Sequence, residues 1–300
     1  MKRKRFRSMK LGKARRLTAG LADHEHPAVA PGGRLLAYYG GAYGSLALFV
    51  TDMEGRLARR VSPDGGNNTQ PAWHPAELKL AFRHQHTSAD RWELWETALT
   101  GETEPRTLLA DARWNYKHPS YDPSGQLLAY FSDEGSADIY HLWLLDLATM
   151  ERRQLTFGDS QNHCHPAFSP DGGRLAFHAY EGVDMAEPPV TNLYELELES
   201  GEVRQLTSGE DQFKHPFYLD DTTLTLHHER NRDGRRRIEA LDLKTGERIA
   251  LTKGKDNDKH PFPFRDRRGR SWLAWSSKRK GRERKDEAAS YDIFMAPLKY

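Results

Sequence analysis

The chain has 300 residues, with 45 Lys and Arg against 43 Asp and Glu, and it carries 7 Trp, 12 Tyr and 12 Phe beside a 29% charged fraction. The near balance of charge speaks against an electrostatic nucleic-acid binder, and no apolar run approaches the roughly 18 residues of a membrane span. A single cysteine excludes an internal disulfide and fits a reducing, cytoplasmic setting.

Residues 1–12, "MKRKRFRSMKLG", read as a basic tail. They begin like a signal peptide but no apolar segment follows, so the cytoplasmic expectation stands. "KARRLTAG", Lys13 to Gly20, reads as a short strand ending in a turn. Six similar units follow. They open "DHEHPAVAPGGRLLAYY", "NNTQPAWHPAELKLAFR", "NYKHPSYDPSGQLLAYF", "NHCHPAFSPDGGRLAFH", "QFKHPFYLDDTTLTLHH" and "NDKHPFPFRDRRGRSWLAW". Aligned on the residue before the first proline, they place His26, Gln70, His118, His165, His215 and His260 at spacings of 44, 48, 47, 50 and 45.

Each unit predicts four short strands. The first leads from the His-Pro into a Pro/Asp/Gly turn such as "SPDGG", which is hairpin chemistry. A second apolar strand follows ("LLAYF", "RLAFH"), then a third ending in a turn ("NLYELELESG", "RIEALDLKTG"). The fourth closes the unit ("EVRQLTSG", "ERIALTKG"). Four strands recurring every ~45 residues predict an all-β, six-bladed β-propeller with four-stranded blades, formed by residues 13–300 as one domain. The last unit stops at its third strand, "YDIFMAPLKY", and "KARRLTAG" matches the missing fourth. The N-terminal strand is therefore expected to close the last blade and remove an open sheet edge.

The repeat "HPAFSPDGGRLAFHA…NLYELELESGEVRQLT" resembles that of TolB-type β-propellers across all six units. Such propellers serve as scaffolds, receptors and enzymes, so the resemblance implies a fold and leaves function open.

The aligned residues start first strands, which line a propeller's channel, so they are expected to ring its mouth. By strand alternation His163 should converge with His165, and His24 with His26, while Cys164 points away as a packed thiol. His84, His86, His178, His227 and His228 collect on the same face from second strands. Lys117, Lys214 and Lys259 each precede a ring histidine and should turn off the channel. The basic loops around Arg230, Arg232 and Arg235 to Arg237, and "KRKGRERK" from Lys278 to Lys285, also map there. Two readings stay open. A recurring His beside a loop, with Asp, Asn or Gln three residues earlier, suits a structural lock of each blade. Crowded neutral imidazoles equally suit a divalent transition metal such as Mn, Zn, Fe or Ni.

"HCHPAFSPD" is also similar to the His-x-His-Pro run that carries metal ligands in oligogalacturonate lyase, and "KHPFYLDD" is similar to the segment that carries its base. The resemblance implies His163 and His165 as metal ligands, joined by His118, His260 and His26 from the ring, with His215 as the base. Gln70, Gln161, Arg230 and Arg232 are then candidates for contacting an acidic sugar or another anionic small molecule. The implied chemistry is β-elimination, in which a cation neutralises the enolate developing beside a uronate carboxylate. The alternative is a non-catalytic scaffold that shows its basic loops to a protein partner while the histidines stay structural. Nucleic acid is disfavoured because the basic segments lack interleaved aromatics, and no membrane association is expected.

Overall fold

In the computed structural model, residues 2–20, 22–42, 44–100, 104–136, 138–181, 190–253, 256–279 and 290–300 are described. Each unit folds as an antiparallel meander, and in four of them the first turn carries glycine in the left-handed region, as at Gly172 of "SPDGG" (φ 78°). Three units form sheets of four strands. These are Asp23–Val29, Leu35–Gly41, Ala47–Asp52 and Arg59–Arg60; Asn67–Trp73, Lys79–Gln85, Glu93–Ala98 and Arg106–Leu109; and Tyr116–Tyr121, Leu127–Ser132, His141–Asp146 and Arg152–Gln154.

The last unit contributes Asn257–Arg265, Ser271–Lys278 and Tyr291–Lys299 to a five-stranded sheet completed from the other end of the chain. Arg15 and Arg16 pair with Met295 and Phe294, and Lys10 and Leu11 pair with Lys299 and Leu298. Residues 10–12 and 15–16 are therefore tied to this sheet. A helix at Lys2–Arg7 precedes the strand Lys10–Leu11, and Phe6 and Met9 are buried against Leu219, Ile238 and Trp275.

The expectation of six separate four-stranded blades is corrected by the sheets. Four sheets stand as single blades, and the remaining eight strands, from Gln161–Phe168 to Arg248–Ala250, belong to one eight-stranded sheet. Its halves are joined where Thr191 pairs in parallel with Gln212, the Thr191 amide donating to the Asp211 carbonyl at 3.3 Å. The turn-to-turn approach of two neighbouring meanders is short enough there for backbone pairing.

The first strands share one irregularity. In every unit their register with the second strand slips around the aligned residue. The proline that follows has no amide hydrogen to give the ladder, which favours a bulge. The aligned residue itself takes a left-handed backbone: His26 φ 51°, Gln70 56°, His118 51°, His165 58°, His215 52° and His260 53°. Such a conformation is costly for a side chain bearing a Cβ.

In four units the polar residue three before it ties neighbouring blades together. Asn115 Oδ1 accepts the Trp92 amide (3.2 Å), Asn162 Oδ1 the Tyr140 amide (2.8 Å), and Asp23 Oδ1 the Tyr291 amide (2.7 Å). Among the described residues, no helix is long and apolar enough to cross a membrane.

Candidate functional site

The left-handed residues meet at the centre. His26 stacks on His260 with ring centroids 3.5 Å apart, and His118 lies 4.4 Å from His165. His165 in turn is 4.1 Å from His215, and His215 is 4.6 Å from His260. Two second-strand histidines join them, His178 stacked on His165 at 4.6 Å and His227 on His215 at 4.8 Å. Gln70 takes the sixth ring position and lines the same space.

Ligand-capable atoms of His26, His215 and His260 all lie within 4.8 Å of one another, as do those of Cys164, His165 and His178. Burial pushes the imidazoles of His26, His165, His178, His215, His227 and His260 well below the ordinary value, with neighbouring cations and imidazoles adding to the effect. His118 is lowered to about 3, again chiefly by burial and then by Arg83. These rings are neutral at neutral pH and present lone pairs.

Several of these lone pairs meet nothing. Nδ1 of His118, His165, His215 and His227 and Oε1 of Gln70 are buried without a hydrogen-bond partner. Buried polar atoms of this kind are costly unless a ligand or ordered water satisfies them. The blade locks described above are made by the residues three positions earlier.

The ring divides two cavities. On the side of the second-to-third-strand connections lies a chamber of about 420 Å³, which Arg83, Lys117, Cys164, Tyr140, Tyr180 and Lys214 line together with His165, His178 and His215. On the other side lies one of about 430 Å³ with walls of prolines and aromatics, among them Pro27, Pro119, Trp73, Phe217 and Phe262. The chamber side follows from register. Just before each slip, the residue preceding the ring position pairs with one on the second strand: Thr69 with Arg83, Lys117 with Phe131, Cys164 with His178, and Lys214 with His227. Directly opposed residues share a face, so these pairs form a second layer above the ring. Within it Lys117 Nζ donates to Tyr140 Oη at 2.6 Å, and Arg83 Nε donates to Thr69 Oγ1 at 3.0 Å. Burial lowers Lys117 to about 8.

The sequence-derived residues divide accordingly. His26, His118, His165, His215, His260 and Gln70 come together. His163 does not join them; it lies 5.8 Å from His141 and against Phe177, and its imidazole is lowered to about 4 by burial. His24 turns instead toward Asp292, with Nδ1 3.3 Å from its carboxylate. Simple alternation fails because the chain leaves the extended conformation at the ring residue. That turn brings Cys164, Lys117 and Lys214 toward the chamber in place of His163, while Lys259 pairs with Glu25. Gln161 pairs with Glu181 at the outer start of its strand, away from the ring. Arg230 is ion-paired with Asp233, and Arg232 is exposed on a turn; neither lines the chamber. His84 bonds Asn68 at 2.9 Å, and His228 is held between Asp211 (2.8 Å) and Glu239 (2.9 Å). Residues 280–285 of the "KRKGRERK" stretch lie outside the described residues.

Sequence reasoning missed Arg83; it read Cys164 rightly as a packed, buried thiol but did not place it beside the chamber. A signal for Arg83 was present in the second strands. "LAFR", "LAYF", "LAFH" and "LTLH" end on Arg83, Phe131, His178 and His227; the first three line the chamber, and His227 stacks on His215 of the ring.

No family model matches the sequence. No curated protein matches it either. Solved structures do match in fold. TolB from Acinetobacter baumannii superposes with a TM-score of 0.65 at 17% identity over 89% of this chain and 64% of its own, so the chain spans less than two thirds of that protein. A putative TolB from Agrobacterium tumefaciens gives 0.67 at 14% identity over 98% of this chain and all of its own. A structure of oligogalacturonate lyase in complex with manganese gives 0.58 at 13% identity over 97% and 96%. The chain has the TolB-type β-propeller fold, shared with oligogalacturonate lyase, and a buried histidine cluster at its centre.

Proposed function

We propose that the channel binds a divalent transition metal on its neutral imidazoles and receives an anionic small molecule in the chamber beside them. The reaction to test first is β-elimination on an acidic sugar. The observation that carries this reading is the set of buried, unpartnered acceptors on His118, His165, His215, His227 and Gln70. Neutral imidazole is the ligand form, and the His26, His215 and His260 atoms are near enough to serve one ion. When bound, the ion would supply Lewis-acid stabilisation of negative charge on the ligand.

The chain's own residues supply the rest. Arg83, Lys117 and Lys214 place positive charge on the chamber wall, where a carboxylate would be held in surroundings partly closed to water. Tyr140 fixes the Lys117 ammonium by accepting its hydrogen bond. His215 belongs by position with His26 and His260, which makes it a member of the ligand set and not a free base. The likeness to a lyase solved with manganese supports trying that metal first.

The test is metal analysis of protein purified without chelator or nickel resin, followed by equilibrium dialysis against Mn(II) and Zn(II). Wild type should retain a stoichiometric ion. His260→Ala should lose it while keeping its circular dichroism. Wild type that retains no divalent ion under any load would return the histidines to a structural role. Uronide turnover is then followed by the ultraviolet absorption of an unsaturated product.

A further inference from the structure

We infer that the channel carries a second, thiolate-containing metal site formed by Cys164, His165 and His178, suited to a borderline or soft ion such as Zn(II), Co(II) or Cd(II). It rests on the reading that channel imidazoles are metal ligands, and adds a site of different chemistry next to the His26–His215–His260 set.

The backbone fixes all three groups. Cys164 and His178 are directly paired across the first two strands of their blade, at the last pair before the register slips, so their side chains share one face. His165 follows with φ 58° and turns its ring onto that of His178, stacked at 4.6 Å. One ligand-capable atom from each lies within 4.8 Å of the others. Among the described residues this is the one ligand triad that includes sulfur, and the corresponding pairs in neighbouring blades, Lys117 with Phe131 and Lys214 with His227, offer no thiol.

Cys164 is buried in a cluster with Phe131, Leu142 and Phe177, which disfavours a free thiolate, so the thiolate forms only together with the metal. Tyr180 hydrogen-bonds Cys164, and Lys117 and Lys214 line the same chamber, so negative charge on Sγ is partly balanced. His165 Nδ1 is buried without a partner. The chamber wall itself leaves room for a further ligand, as a site open at one position would. Sulfur and imidazole together favour Zn(II), Co(II) and Cd(II) over Mn(II), which prefers oxygen. On binding, the thiol proton leaves to solvent and the metal–sulfur bond replaces the S–H bond.

The experiment is titration of the full chain, stripped of metal, with Co(II) and Cd(II). Cys164 is the chain's single cysteine, so any sulfur-to-metal charge-transfer absorption belongs to it. We expect that absorption to grow to saturation in wild type, to vanish in Cys164→Ser, and to weaken at least tenfold in apparent affinity in His178→Gln. Cys164→Ser should bind one Co(II) fewer than wild type and keep the visible bands of cobalt held by imidazole. His178→Gln retains the thiol and serves if the serine variant misfolds. Ions bound by wild type with no charge-transfer absorption overturn the second site and leave the imidazole site standing. No ion bound at all overturns both.

Discussion

Replacing His118 by glycine and by alanine should reverse the usual order of stability at a strand position. Both variants lose the same imidazole, its 4.4 Å contact with His165 and its unpartnered Nδ1, so these contributions cancel between them. What differs is the backbone. At φ 51° alanine bears a left-handed penalty of roughly 1–2 kcal/mol, which glycine escapes. Glycine loses about 0.4–1 kcal/mol through the greater freedom of its unfolded chain. Taking the middle of each range, the difference favours His118→Gly by about 0.8 kcal/mol. With a urea slope of about 3 kcal/mol/M, its midpoint should lie ~0.2–0.3 M above that of His118→Ala. Ala81 is a control: it is fully buried in a second strand and is not among the left-handed residues, so Ala81→Gly should destabilise by about 0.5–1 kcal/mol or more. Urea denaturation followed by tryptophan fluorescence measures all of these. His118→Ala at or above His118→Gly would refute the strain reasoning for the whole ring.

Further outcomes follow from the same contacts. Deleting residues 1–20 removes buried Phe6, Met9 and Leu17, the Arg16–Asp292 ion pair (2.5 Å) and the Thr18–Asp292 hydrogen bond (3.0 Å), and bares a strand edge. The product should aggregate or melt well below the full chain, and an unchanged transition would disprove the closure. Seven channel imidazoles, those of His26, His118, His165, His178, His215, His227 and His260, have lowered affinity for protons in the folded state. The unfolded chain then binds more protons below about pH 6.5, and each group withdraws up to ~1.4 kcal/mol per pH unit as pH falls toward its folded value. Urea midpoints should be flat above that pH and drop steeply below it, with His118→Gln giving a shallower drop; midpoints independent of pH would contradict neutral burial. Asn162→Ala strands the Tyr140 amide and should cost about 1–3 kcal/mol, whereas a change under 0.5 kcal/mol would show that water replaces the lock. The Cys164 thiol is pushed up to about 12 by burial, so in metal-free native protein it should resist iodoacetamide and react only on unfolding. Rapid native alkylation would place it at the surface.

The meander was legible because turn chemistry and alternating strands repeat within each unit, and the His-Pro alignment located the channel residues. The pairing of Thr191 with Gln212 was not, since a single backbone contact between adjacent units leaves no mark on side-chain pattern. Within the site, His165 and its five counterparts could be read from the alignment, but the identity of their neighbours could not be read by alternation. A left-handed residue ahead of proline breaks the period of two, which placed Cys164 where His163 was expected. The second strands stay regular, and their register carries Arg83 as well as His178 to the chamber; of these only Arg83 went unread.

The pairing of Arg15 with Met295 has a consequence for how the molecule comes into being. The two residues are 280 positions apart, and the sheet holding them needs strands from both ends of the chain. Neighbouring meanders are local and can form as they leave the ribosome, but this sheet waits for the final strand. Until then residues 10–16 lack the partner they pair with, and Phe6 and Met9 lack Phe294, Ala296 and Leu298 of the final strand, which share their buried cluster. Synthesis therefore leaves a sticky intermediate for as long as the last strand is missing. Pausing late in translation, or truncation before Tyr291, should make this chain a client for chaperones in a way that an early pause does not.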